Sequence, residues 1–251
     1  MEDPAHDSSR RLKLLLEYDG TDFVGWQIQP NGRSVQAMLQ KAFTQFTGTD
    51  ATVVGSGRTD SGVHARGQVA HAIIKSDLST EKIYEALNGI LPNDIAVLNV
   101  TEVDDTFHAR YSARERRYSY TISTSPCAID RRIVWYVWYS LSIEKMNACC
   151  SYILGDNDFR AFTKSEAEVD HYRCTVNHAG WRESDARLIF TIHANRFLHN
   201  MVRALVGSMV DVGRGYSTVD QFKAAIQSGK KKDAGPTAPA AGLVLEEVIY
   251  E

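Results

Sequence analysis

The chain has 251 residues, 43% of them hydrophobic and 24% charged, and its 28 Lys and Arg against 31 Asp and Glu give a formal net charge of −3. That length suits one large or two moderate domains with a sizeable core. The charge balance rules out a globally basic polyanion binder, so only local clusters count, because exposed charges more than about 8 Å apart are screened at physiological salt. The four cysteines, Cys127, Cys149, Cys150 and Cys174, form no CxxC pair; neither a zinc knuckle nor a disulfide framework is expected, and the thiols read as reduced.

Residues 1–9 are polar and acidic and read as a flexible tail. The apolar run at 12–16 is too short to span a membrane and lacks a signal peptide's cleavage region, which predicts a soluble, cytoplasmic protein. Strand-like alternation begins with Leu12, Leu14, Leu16 and Tyr18 and returns at residues 69–74, 95–100 and 117–123. Later strand candidates are residues 133–139, 173–181, 188–194 and 243–250. Helical spacing is carried by Val35, Leu39, Ala42, Phe43 and Phe46, then by Ile83, Leu87 and Ile90 after Ser79. Met146, Cys149, Cys150 and Ile153 repeat it after Ser142, and a longer helix is predicted over 197–212. A final helix follows the capping box TVDQ at 218–221. Several strands succeed one another directly, which favours α+β over a doubly wound parallel sheet. The expected division is a half over residues 10–108 and a half over 109–251, without a flexible linker, sharing a mostly antiparallel sheet flanked by helices.

The densest run of chemistry-bearing residues is GSGRTDSGVHARGQVAH at 55–71. A G-x-G-x-x-G phosphate loop would need glycine at 60, where Asp60 stands, and no GK[ST] follows. Asp60, His64 and His71 are metal-ligand types, but their spacing fits neither HExxH nor a tight cluster. TDSG is good turn chemistry, so Asp60 capping a turn is one reading. A backbone open to close approach beside an acid and the Arg58 guanidinium, suited to a polyanionic ligand, is the other. Residues 110–132 hold six arginines against Glu115 and Asp130, a local charge of +4, and Lys230, Lys231 and Lys232 form a second basic run. Such runs are also common on solvated surfaces.

The stretch GRTDSGVHARGQVAH resembles the catalytic motif of the TruA family of tRNA pseudouridine synthases, whose G-R-T-D-x-G-V-H-A carries a nucleophilic aspartate. The resemblance runs along almost the whole chain. YDGT at 18–21, GWQ at 25–27 and SVQ at 34–36 are similar to the family's opening strand and helix. FHAR at 107–110 with RERRYSY at 114–120, DFRAF at 158–162, RFLHNMVR at 196–203 and APAAGL at 238–243 are similar to its later motifs. Two departures, Ala240 where a second proline is frequent and Arg196 where glycine is, touch loop and helix-start geometry.

The resemblance implies that Asp60 is the nucleophile, Tyr118 the aromatic on the target uracil and Arg203 the cation paired with Asp60. It implies that Arg58 approaches the space left by a flipped nucleotide. Arg114, Arg116 and Arg117, beside Tyr118 in sequence, are candidate phosphate contacts. The substrate implied is tRNA, in the anticodon stem-loop at positions 38, 39 and 40, and the assembly implied is a homodimer. The reaction is an isomerisation that needs no group donor, so no cofactor and no metal is expected. A catalytically silent tRNA-binding protein using the same groove is the alternative from another class. A glycosidase would need two paired carboxylates, and phosphoryl transfer usually needs a metal cluster; the sequence locates neither.

Overall fold

The computed structural model describes residues 9–163 and 170–251. The tail expected over 1–9 therefore lies, apart from Ser9, outside the described residues. Among the described residues there are ten strands and five helices, and the chain divides into two compact units: one up to Ala113 together with Tyr250 and Glu251, the other Arg114–Ile249.

In the first unit, β1 (Arg10–Tyr18), β2 (Thr52–Gly55), β3 (His64–Ile74) and β4 (Ile95–Glu102) are joined by α1 (Val35–Thr47) and α2 (Thr80–Ile90). All pairings here are antiparallel, with β1 between β4 and β3, and β2 on β3. Leu12, Leu14, Leu16 and Tyr18 alternate into the core, as a half-buried strand requires. α1 lays Val35, Leu39, Ala42 and Phe43 against it, starts at Ser34, whose side chain accepts from Ala37 N, and stops at Gly48 in the left-handed region. The outer strand β4 is covered by α2: the Asn88 side chain donates to Val97 O and accepts from Val97 N, meeting the backbone as another strand would.

The second unit contains β5 (Glu115–Ser123), β6 (Trp135–Tyr136), α3 (Ile143–Cys150), β7 (Gly155–Asp158), β8 (Arg173–Ser184) and β9 (Arg187–Ala194). It continues with α4 (Met201–Gly213), α5 (Val219–Ser228) and β10 (Leu243–Ile249). Its strands run β10-β5-β9-β8-β7, antiparallel throughout, with the two-residue β6 parallel to β5. The α+β, mostly antiparallel class read from the sequence is the one observed. α4 is buried on nearly all sides and forms the centre of this unit, with α3 and α5 packed on it.

Several elements differ from expectation. Of the strand predicted over 133–139, only Trp135 and Tyr136 pair, and β2 and β7 were not anticipated. β7 reads GDND, turn-like in isolation; its pairing with residues 173–176 of β8 overrides that preference. α3 ends at Cys150, and Ile153 is buried in the turn that follows rather than in the helix. α4 begins at Met201 and not at 197, because Asn200 has φ +63°, which no right-handed helix can include.

Candidate active site

Asp60 opens a tight turn in the first unit. Its carbonyl accepts from Val63 N at 3.1 Å, and Gly62 at the third position has φ +78°, the signature of a type II turn that glycine satisfies without strain. TDSG thus forms the turn its residues suggest, with the half-buried Asp60 at its first position.

The segment before the turn is clamped by a buried polar network. Tyr18 Oη and Thr59 Oγ1 share a hydrogen bond of 2.8 Å, and Gln68 Nε2 donates to Tyr18 Oη and to Gly57 O. Ser56 Oγ donates to Gln68 Oε1 at 2.7 Å. Burial pushes the Tyr18 phenol up to about 12, against the opposing pull of its hydrogen bonds to Thr59 and Gln68, so it stays protonated and able to donate. Trp26 N donates to Thr59 O from the other side, and Gly62 N and Ser61 Oγ both reach Phe23 O. Gly25, at φ +114°, passes so close that a Cβ there would lie 2.6 Å from Thr59 O.

These contacts revise the reading of the glycines. A Cβ at Gly55 would meet the Trp26 indole at 2.5 Å, so that glycine makes room for the protein's own ring rather than for a ligand. GWQ and SVQ are the braces of the Asp60 turn: Val35 N donates to Gly25 O, Gln36 N to Trp26 O, and Gln36 Nε2 to Val53 O. The histidines also have structural work. His64 Nδ1 accepts from Gly20 N, and His71 Nδ1 accepts from Ala109 N, both at 3.1 Å. Burial, with His108 and Arg11 nearby, lowers His71 to about 4. Among the described residues no three His, Cys, Asp or Glu gather as metal ligands would.

The second unit carries Tyr118 and Arg203. Tyr118 lies on the buried face of β5, 8% exposed, with the Phe197 ring edge-on at 5.1 Å. Arg203 sits in the first turn of α4; its Nε donates to Ala238 O at 2.8 Å and its Nη1 to Asn200 Oδ1 at 3.0 Å, while its carbonyl accepts from Ala238 N. The APAAGL segment is fitted to this helix and to β5. A Cβ on Gly207, one turn beyond Arg203, would fall 1.8 Å from Pro236 O, and one on Gly242 would strike the Tyr120 ring. Tyr120 Oη donates to Pro239 O, and burial raises that phenol above its ordinary range.

The other predicted residues have three kinds of surroundings. Arg58 and Arg114 are exposed. Arg116 shares the buried face of β5 with Tyr118, and its Nη1 donates to Asn195 O at 2.7 Å. Arg117 is bridged to Glu115 and Glu247, which hold its guanidinium firmly charged. Asp60 and Arg58 are thus carried by the first unit, and Tyr118, Arg203 and the β5 arginines by the second. Sequence reading missed Phe197 and Asn200, both absorbed into an overlong helix, and the Ser56–Gln68 network, which has no sequence signature.

A family model described as tRNA pseudouridine synthase matches residues 15–112 and 149–251. Asp60 and Arg203 lie within these blocks; Tyr118 and the β5 arginines fall between them. A tRNA pseudouridine synthase A of Acetivibrio thermocellus is 42% identical over 243 residues, spanning 96% of this chain and all of the relative. Another, of Bacteroides thetaiotaomicron, is 41% identical over 244 residues, 96% of this chain and 91% of the relative. Among solved structures, that of a Cbf5-Nop10-Gar1 complex aligns over 96% of this chain and 59% of its own at 10% identity and a TM-score of 0.35, too distant to add to the case. A braced aspartate turn, a helix-borne arginine and near full-length likeness at two-fifths identity converge on one conclusion: the chain belongs to the tRNA pseudouridine synthase family, isomerases that turn uridine into pseudouridine.

Proposed function

We propose that this protein isomerises uridine to pseudouridine at positions 38, 39 and 40 of the tRNA anticodon stem-loop, with the Asp60 carboxylate as nucleophile. The observation that carries the reading is the Asp60 turn itself, in which Gly57, Thr59, Ser61 and Gly62 are all tied to surrounding backbone or side chains, so that the backbone carrying the acid is fixed in place. A carboxylate, with a reference pKa near 3.9, needs no base to ionise at neutral pH. In the overall change the N1–C1′ bond breaks, a C5–C1′ bond forms, C5 loses a proton and N1 gains one. Nothing is oxidised and no group is donated.

The residues of the second unit supply the remaining roles. Tyr118 is assigned as the flat wall for the detached uracil, its ring packed edge-on against Phe197, and its hydroxyl as the group that helps move the C5 proton. Arg203 is the cation that keeps the nucleophile ionised against burial, a task suited to a planar guanidinium that never deprotonates. A stem uridine must first leave its stack, at a cost of a few kcal/mol that phosphate contacts offset. Arg58 and Arg114, both exposed, are assigned to the displaced nucleotide and to phosphate. The family likeness further supports a homodimer working in the cytoplasm.

The test is Asp60→Asn, which keeps shape and removes nucleophilicity. Single-turnover pseudouridine formation should vanish while tRNA affinity stays within about tenfold, and the variant should fail to restore pseudouridine at 38–40 in cells lacking the gene. Substantial product from the variant would return Asp60 to a turn-forming role alone.

A further inference from the structure

Asn200 occupies the position just before α4, where an Asn normally adopts extended backbone and its side chain caps the helix. Here it does neither: its φ is +63°, ψ is 2°, and its side chain makes no capping hydrogen bond. Its carbonyl still starts the helix, accepting from Ala204 N at 2.9 Å, so the residue has kept the backbone duty and given its amide to another task. That task is Arg203, whose Nη1 donates to Asn200 Oδ1 at 3.0 Å. Glycine would adopt this left-handed conformation without steric cost; what asparagine adds is the acceptor oxygen.

Arg203 has a second anchor in Ala238 O, which accepts from Nε at 2.8 Å. Two anchored N–H groups on a rigid planar fork of five fix the plane of the guanidinium and hence the direction in which its other donors point. Resting on the reading of Arg203 given above, we propose that Asn200 is a positioning residue for the isomerisation, holding the Arg203 guanidinium in the plane the reaction needs.

The experiment compares Asn200→Gly, Asn200→Asp and Arg203→Ala by single-turnover rate at saturating tRNA, tRNA affinity and thermal melting. Glycine keeps the left-handed backbone and removes only the acceptor. The rate should fall roughly ten- to a hundredfold, the range for a hydrogen bond to a charged group, with affinity and melting close to wild type. Aspartate keeps an acceptor oxygen and tolerates the conformation, so its rate should lie nearer to wild type than to Arg203→Ala, a comparison that stands even if the glycine variant unfolds. A glycine variant at the wild-type rate, with Arg203→Ala inactive, would overturn the role of Asn200 alone, and so would an aspartate variant as slow as Arg203→Ala. Arg203→Ala at the wild-type rate would instead overturn the reading of Arg203 on which this one rests.

Discussion

Arg114, Arg116 and Arg117 stand within four residues, yet one is exposed, one is buried against the Asn195 carbonyl and one is held between two glutamates. Charge counted along a sequence weights them equally; the strand does not. Replacing Arg114 by alanine should weaken tRNA binding and lower the slope of log K against log salt by up to about one, with the melting temperature unchanged. Arg116→Ala should show the reverse, lower melting and an unaltered salt slope, because the bond it loses is internal. Salt titrations and melts on the two purified variants separate the cases. The alternation of Tyr118 and Tyr120 was legible in the sequence, but the strand read from 117 left Arg116 outside it, and an arginine there reads as exposed until its carbonyl partner is known. His71 gives a prediction in pH. Its folded value is about 4 against an ordinary 6.5, so from pH 6.5 down to 4 the unfolded chain takes up a proton that the folded chain refuses. Stability contributed here is present above 6.5 and lost on acidification. In His71→Asn, whose Oδ1 can still accept from Ala109 N, melting temperature should fall less steeply between pH 7 and 5 than in wild type.

At the scale of elements, α4 decides the second unit, and Gly207 decides how α4 meets the 236–238 segment. Gly207→Ala would be a favourable helix substitution by propensity, but its Cβ has no space before Pro236 O. The expected outcome is a large loss of melting temperature and, in whatever folds, a slowed isomerisation, because Ala238 can no longer reach Arg203; melting and single-turnover assays check both. A variant as stable and active as wild type would show that the segment yields easily. Periodicity located every α-helix among the described residues, since α1, α2, α3 and α5 each turn an apolar face inward, α4 is apolar almost all round, and most have a capping residue, as Ser79, Ser142 and Thr218 show. It could not place the start of α4: residues 197–200 continue the apolar spacing, and what stops the helix is a backbone angle. Nor could it find β7, whose GDND carries no strand preference and is made a strand by its neighbour.

For the whole molecule, the motifs from YDGT to APAAGL were legible in order, which is why the family could be read before any geometry. Their reasons were not. GWQ is a brace of the Asp60 turn, and APAAGL is fitted, through Gly242 and Ala238, to a strand and a helix. Such residues answer to partners far off in sequence. The same holds for Tyr250, which belongs to the first unit, where its hydroxyl donates to Ala109 O, its ring lies 5.1 Å from Phe107 and Lys13 sits over its face. A ribosome reaches that residue only after it has made all of Arg114–Ile249, a delay of roughly 7–27 s at ordinary elongation rates of about 5–20 residues per second. The unit that is translated first is therefore finished last, and throughout that interval the nascent chain carries Phe107 and Lys13 without the aromatic ring they pack against in the finished fold.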